Sequence, residues 1–260
     1  SFIYYLYLEV YMRKKFDKEK LLIIGILPLM WFAYFLFELF TGRIKSLYDI
    51  CLNLSLLFLF ALVGWIIYCI QKRYSDGIKN KSLFIIFLIL MVIDQGIKLI
   101  IKFNFFHSFV ELIPNFLYFN PIINTHGSWL NARFNFNGNF TILISSNIIF
   151  IFLLIELYRY SRSRNIKSFW SDMSFLFVLS GALCSLIDKI FYSGSLDSIG
   201  ISNLFIADMK DLYINLGLFF FIVLIYKEDF LNDDNNTTFK DDLKSIKRFL
   251  VFVKNDIFRK

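Results

Sequence analysis

Leu83–Phe103 reads LFIIFLILMVIDQGIKLIIKF, an apolar run broken by ionisable side chains only at Asp94, Lys98 and Lys102. It matches the roughly 20 residues that a helix needs to cross a ~30 Å hydrocarbon core. Asp94 and Lys98 stand at i and i+4, so they share one face and can pair. A charge inside such a run is costly, and by default it marks pairing or function. Working outward, comparable runs fall at Leu21–Phe40, Ile50–Ile70, Phe140–Tyr158, Phe169–Phe191 and Phe205–Tyr226. The chain is therefore expected to be an all-α membrane protein, a six-helix transmembrane bundle.

Composition agrees. The 260 residues are 57% hydrophobic, 20% aromatic and 19% charged, against about 45–50% apolar and about 25% charged in soluble domains. This is not the composition expected of an ordinary water-soluble enzyme, and a disordered chain, a collagen-like repeat and low complexity are excluded. The net charge of +7 comes from 28 Lys+Arg against 21 Asp+Glu. These cations lie between the apolar runs, where they set topology rather than bind nucleic acid. Arg13, Lys14, Lys15, Lys18 and Lys20 precede the first run; Lys72, Arg73, Lys79 and Lys81 follow the second. Arg159, Arg162, Arg164 and Lys167 follow the fourth, and Lys227 begins the tail, whereas the alternate loops are poor in cations. The bias predicts both termini in the cytoplasm. Cys51, Cys69 and Cys184 sit inside apolar runs without CxxC spacing, and read as buried small hydrophobes. His107 and His126 have no metal-ligand company, so no metal and no cofactor is expected. The chain opens on Ser1 without a signal-peptide pattern, so its encoded start is expected upstream or processed.

Four regions are expected: a basic cytoplasmic arm over 1–20, two helices over 21–80, a four-helix domain over 81–227, and a linker with an amphipathic tail over 228–260. Within the long third loop, Pro114 and Pro121 punctuate an aromatic stretch where Glu111–Phe119 and Ile122–Ile123 read as short strands. They predict a small extracytoplasmic β structure. In the tail, Glu228–Thr238 is a polar linker. Leu243, Ile246, Phe249, Leu250, Val253 and Ile257 then recur at helical spacing among Lys and Arg, as in a helix lying on the anionic inner leaflet.

The acids of the spans gather at one depth. Asp94 lies nine residues before Phe103, ~13 Å below that end at 1.5 Å per residue. Asp188 and Lys189 close the fifth run, Asp197 follows in the loop, and Asp208 and Asp211 share a face at the start of the sixth. Glu38 and Glu156 lie near span ends, where snorkelling or solvation accounts for them. The cluster has two readings. It is a set of structural ion pairs and helix N-terminal charges, or a group of acids that share protons and pass them to and from water and a leaving group.

At these residues the sequence resembles the lipoprotein signal peptidases (signal peptidase II), over about Phe84–Tyr226. Asp94-Gln95-Gly96-Ile97-Lys98 is similar to that family's DQxxK block. Ile113-Pro114-Asn115-Phe116-Leu117 with Asn124-Thr125 resembles the FPNFL…NTG stretch of its β-cradle, with His126-Gly127-Ser128-Trp129 following. Gly181-Ala182-Leu183 through Asp188-Lys189 is similar to GALGNxxDR, with Cys184-Ser185 for Gly-Asn and Lys189 for Arg. Leu196-Asp197-Ser198-Ile199 falls where the family has VDFI. The FNxAD…G block fits in two registers. Ile206-Ala207-Asp208 matches by letters, and Asp211 matches by its spacing to Gly217, which is the register preferred here.

The resemblance implies an aspartic endopeptidase of the bacterial inner membrane that removes the signal peptide from diacylglyceryl-modified prolipoproteins. It implies Asp197 and Asp211 as the catalytic pair, with Asp94, Lys98, Asn124, Asp188, Lys189 and Asp208 binding substrate or supporting the pair. The partners implied are lipid-modified prolipoproteins and membrane lipids, without nucleic acid. Two alternatives stand beside this: an inactive or re-purposed paralogue, and a transporter using the acids as a proton relay.

Overall fold

The computed structural model describes residues 2–126, 133, 139–227 and 239–258. Six of its helices are long and apolar enough to cross a membrane: Lys18–Phe40, Leu47–Gln71, Asn80–Phe105, Phe140–Ser163, Phe169–Phe191 and Met209–Lys227. We label the helices α1 (Phe2–Phe40), α2 (Leu47–Gln71), α3 (Asn80–Ile100), α4 (Phe140–Ser163), α5 (Phe169–Phe191), α6 (Met209–Lys227) and α7 (Phe239–Ile257). The chain is a multi-pass membrane protein. Helices suit the bilayer because each satisfies its own backbone hydrogen bonds. Several starts are set locally by capping side chains: Ser46 accepts from Asp49 N–H, Asn139 from Thr141 N–H and Ser168 from Ser171 N–H.

Large apolar side chains cover the outside of the bundle as well as filling its core. Phe58, Val92 and Ile142 point outward and are exposed, while α5 buries Ser171, Asp172, Ser174, Ser180 and Asp188. With lipid as solvent, apolar side chains gain nothing by hiding and polar ones gain partners inside. The most extensive contact between helices, among the described residues, lies between α5 and α6. Gly217 faces Val178 and Gly181 faces Ile214, so closely that a Cβ at Gly217 would lie 2.9 Å from the Val178 backbone nitrogen. A second core joins Ile23 and Leu27 of α1 and Ile67 and Tyr68 of α2 to Phe219, Phe220 and Val223 of α6.

Four antiparallel strands form one sheet in the order β1-β2-β3-β4: β1 (Val110–Ile113), β2 (Leu117–Asn124), β3 (Ser195–Ile201) and β4 (Phe205–Ala207). The single strand expected over Glu111–Phe119 is instead a hairpin. Pro114 and Asn115 turn it, with Asn115 in the left-handed region (φ 54°) that Asn tolerates. Pro121 falls at the irregularity between Phe119 and Ile122, where β2 loses register with β3.

Other expectations are corrected. The sixth span begins at Met209, since Phe205–Ala207 pairs with β3 rather than extending the helix. Cys51 and Cys69 lie on the exposed outer face and only Cys184 is buried. Glu38 and Glu156 are buried rather than solvated. Glu38 sits between Arg43 at 3.7 Å and Arg133 at 3.6 Å, and Glu156 pairs with Arg159 at 3.6 Å. The expected tail helix is α7; it docks on α4 through Arg159–Asp256 and the rings of Tyr160, Phe249 and Phe252. Gly127–Trp129 and the Glu228–Thr238 linker lie outside the described residues.

Candidate active site

Two lysines organise the acids. Lys98 Nζ, from α3, lies 2.9 Å from Asp94 Oδ2, 2.6 Å from Asp188 Oδ2 and 2.6 Å from Asp208 Oδ2. Lys210 Nζ, from the first turn of α6, lies 2.7 Å from Asp208 Oδ2, 3.4 Å from Asp197 Oδ1 and 3.6 Å from Asp188 Oδ2, and it donates to Ser195 Oγ. Both lysines are buried. Buried charge persists only where it is paired and hydrogen-bonded, and here each ammonium meets several carboxylates.

The sheet aims the remaining groups. Pairing of β2 with β3 puts Asn124 opposite Ser195 and Ile122 opposite Asp197. Ser195 and Asp197, two apart on one strand, share a face. Asn124 Nδ2 donates to Asp197 Oδ2 at 2.9 Å, and Ser195 Oγ donates to Asp197 Oδ1 at 2.5 Å. At the head of α6, Asp208 N–H donates to Asp211 Oδ2 (3.1 Å) and Asp211 N–H to Asp208 Oδ1 (3.3 Å). This reciprocal pair has the form of a capping box.

One carboxylate oxygen from each of Asp197, Asp208 and Asp211 lies within 4.8 Å of the other two. Three acids that close could share a cation; Lys210 Nζ supplies positive charge at that point. Burial pushes the Asp197 carboxyl up from its ordinary value, with Lys210 opposing the rise. Burial acts the same way on Asp208, but the Lys210 and Lys98 ammoniums overrule it and hold that carboxyl below the usual range. Two ammoniums at 2.6 and 2.7 Å thus favour the ionised form of Asp208. Asp211 has no ion pair within 4.0 Å among the described residues.

The structure brings Asp94, Lys98, Asn124, Asp188, Asp197, Asp208 and Asp211 into one network. Lys189 bonds elsewhere: it donates to Ser185 O at 3.3 Å, although it lines the same cavity. Sequence reasoning missed Lys210 and Ser195. Lys210 carried a signal, an ionisable residue between two acids at the head of a span. Ser195 carried none, because its role comes from strand pairing. A cavity of about 1100 Å³ opens at the acids, lined by Asn124, Asp188, Asp197, Asp208, Lys210 and Asp211 on its polar side. A site of this kind can hold an amide against a water molecule and move protons between closely spaced carboxyls.

Comparison with known proteins covers the stretch that contains these residues. The family model described as Signal peptidase (SPase) II matches residues 85–227. The lipoprotein signal peptidase of Enterococcus faecalis is 29% identical over 133 residues, which are 49% of this chain and 77% of that protein. A solved bacterial membrane enzyme, determined by the in meso method at 2.3 Å resolution, is 20% identical with a TM-score of 0.50. The likeness covers 64% of this chain and 98% of that one, and it extends to the fold.

Proposed function

Because the chain belongs to the signal peptidase II family, we propose that it is an aspartic endopeptidase cutting the signal peptide from diacylglyceryl-modified prolipoproteins. Asp197 and Asp211 are its catalytic pair in this reading. The observation that carries it is the approach of their carboxylates within 4.8 Å at the head of a cavity. Two carboxyls that close in a low dielectric resist double ionisation and share a proton. The ionised one takes a proton from water as the water attacks the scissile carbonyl. The protonated one then delivers its proton to the leaving amine.

Asp211 is preferred over Asp208 for a physical reason. Asp208 bonds two ammoniums, at 2.6 and 2.7 Å, which favour its ionised form, so it is poorly suited to give up or receive a proton each turnover. Its role is to fix Lys98 and Lys210. Asp94 and Asp188 complete that frame, Asn124 orients Asp197 and offers an amide to the substrate backbone, and Lys189 faces the cavity as a substrate contact. This mechanism asks for no cofactor. Residues 81–227 would form the peptidase unit and 21–80 an added pair of helices. Residues 1–20 and 228–260 would lie at the cytoplasmic face of the inner membrane. Substrate and site would meet at the outer membrane surface, where the substrate's own acyl chains hold it.

The test is cleavage of a lipidated prolipoprotein by purified protein and variants. Asp197→Asn and Asp211→Asn should each lower kcat by about 10³ or more with folding retained, since Asn keeps the shape but cannot carry the proton. Full activity in Asp211→Asn would move the role to Asp208.

A further inference from the structure

Helices α1 and α2 lie outside the stretch that matches the family, yet they build one wall of the cavity. Met30, Trp31 and Tyr34 of α1 and Phe60 of α2 line it, while Leu212 and Leu218 of α6 line another side. Deeper in the bilayer the space between α1 and α6 closes. Ile23 and Leu27 pack in one core with Phe219 and Val223, and Lys227 Nζ pins Glu19 Oε1 at 2.6 Å beyond them. The two helices therefore meet below and part above. Along α6, the cavity lining runs from Asp211 to Leu218, seven residues or ~10 Å of helix.

The result is a slot, open at the carboxylates and closed about 10 Å beneath them. Its walls below Asn215 are apolar: Leu27, Met30, Trp31, Phe60 and Leu218. Trp31 keeps this character because its ring N–H is used, donating to Asn53 O at 3.0 Å. A membrane-spanning helix, ~10 Å across, cannot continue through a slot with a closed floor. A single aliphatic chain can enter from above and end inside it.

We propose that this slot is an acyl-chain subsite, made by α1 and α2 against α6, that takes one fatty chain of the substrate's lipid. The proposal rests on the function argued above, since it is that function which brings a lipid-modified cysteine to the acids. Through this subsite the two added helices turn the length of the acyl chain into binding at the catalytic level.

The experiment uses full-length Asp197→Asn protein in lipid nanodiscs and a peptide whose diacylglyceryl-cysteine carries a diazirine on the last acyl carbon. Photolabel on α1 between Leu27 and Tyr34, or on Leu218, is the expected result. Label found only on outward residues such as Val92 overturns the proposal. So does equal α1 labelling by a phospholipid with the same diazirine, which would make the slot a general lipid site. A second arm measures kcat/KM for substrates with long and short acyl chains. Met30→Trp should reduce the preference for the long chain about tenfold or more, because each buried methylene contributes roughly a factor of four. Equal loss on both substrates would overturn the subsite, and Phe60→Trp serves the same purpose should Met30→Trp not fold. Labelling on α1 with no cleavage by the unmutated protein would end the peptidase reading and leave the acyl subsite standing.

Discussion

Lys210 ties three elements of the site together. Its ammonium touches Asp188, Asp197, Asp208 and Ser195, elements of α5, β3 and the head of α6. At Asp197 burial raises the carboxyl's pKa and Lys210 is the largest force opposing that rise. Replacing Lys210 by Met removes the opposition, so the Asp197 pKa climbs further. If Asp197 is the member of the proposed pair that draws a proton from water, it then becomes active only at higher pH. The acid limb of kcat/KM should move upward in Lys210→Met, with activity below that limb falling about tenfold for each unit. A pH–rate profile from about pH 4 to 9 spans the limb of a carboxyl base and measures the shift. A lower plateau with an unmoved limb would make Lys210 a scaffold only. Asp208 behaves in the opposite sense. Its depressed pKa means the stability it contributes is present above its unfolded value and is lost as pH falls through the folded one.

Among elements, the α5–α6 contact decides the geometry of the acids. Asp188 ends α5, Asp211 begins α6, and between them the helices touch at Gly181 and Gly217. A side chain at Gly217 would meet Val178 Cγ2 at 2.5 Å and the Val178 backbone nitrogen at 2.9 Å, and backbone does not yield cheaply. Gly217→Val should therefore destabilise by about 1–3 kcal/mol through overpacking, and lower cleavage by spreading Asp188 from Lys210. Gly96→Ala is the control: a Cβ there meets nothing within 4 Å, and Ala is the better helix former. Thermal unfolding in detergent compares the two. An equal effect from both would show that the close approach at Gly217 does not set the packing. The sheet is the second decisive element. It joins a hairpin of the third loop to a hairpin of the fifth, and only that union delivers Asn124 to Asp197.

For the whole molecule, the six spans among the described residues and the alternation of Lys and Arg between loops predict one orientation. A reporter fused after Lys227 should be cytoplasmic, and a cysteine placed at exposed Glu111 should react with an impermeant reagent only from outside. Labelling of Glu111→Cys from the cytoplasmic side alone would invert the molecule and part the acids from a lipoprotein substrate. The tail follows the same logic. On α7, Phe249 and Phe252 dock on Tyr160, while Leu243, Ile246 and Leu250 stay exposed along the helix, an apolar face suited to the inner leaflet.

The spans were legible in the sequence because a bilayer demands long apolar helices that satisfy their own backbones, and length and composition alone report that. Asp94, Lys98, Asp188 and Asp211 were legible for a related reason: charge within a span is so costly that each instance stands out, while Asp197 and Asp208 were legible through the motif blocks they belong to. What no local pattern held was partnership. Ser195 gained its role through strand pairing, and Glu38 proved to be a buried carboxylate between Arg43 and Arg133 rather than a solvated one. The middle of α1 and the last turns of α6, far apart in sequence, pack together through Ile23, Leu27, Phe219 and Val223 and through Glu19–Lys227. Such facts depend on which surfaces meet, and packing between distant segments is settled by shape and mutual satisfaction of polar groups, which only the folded molecule brings together.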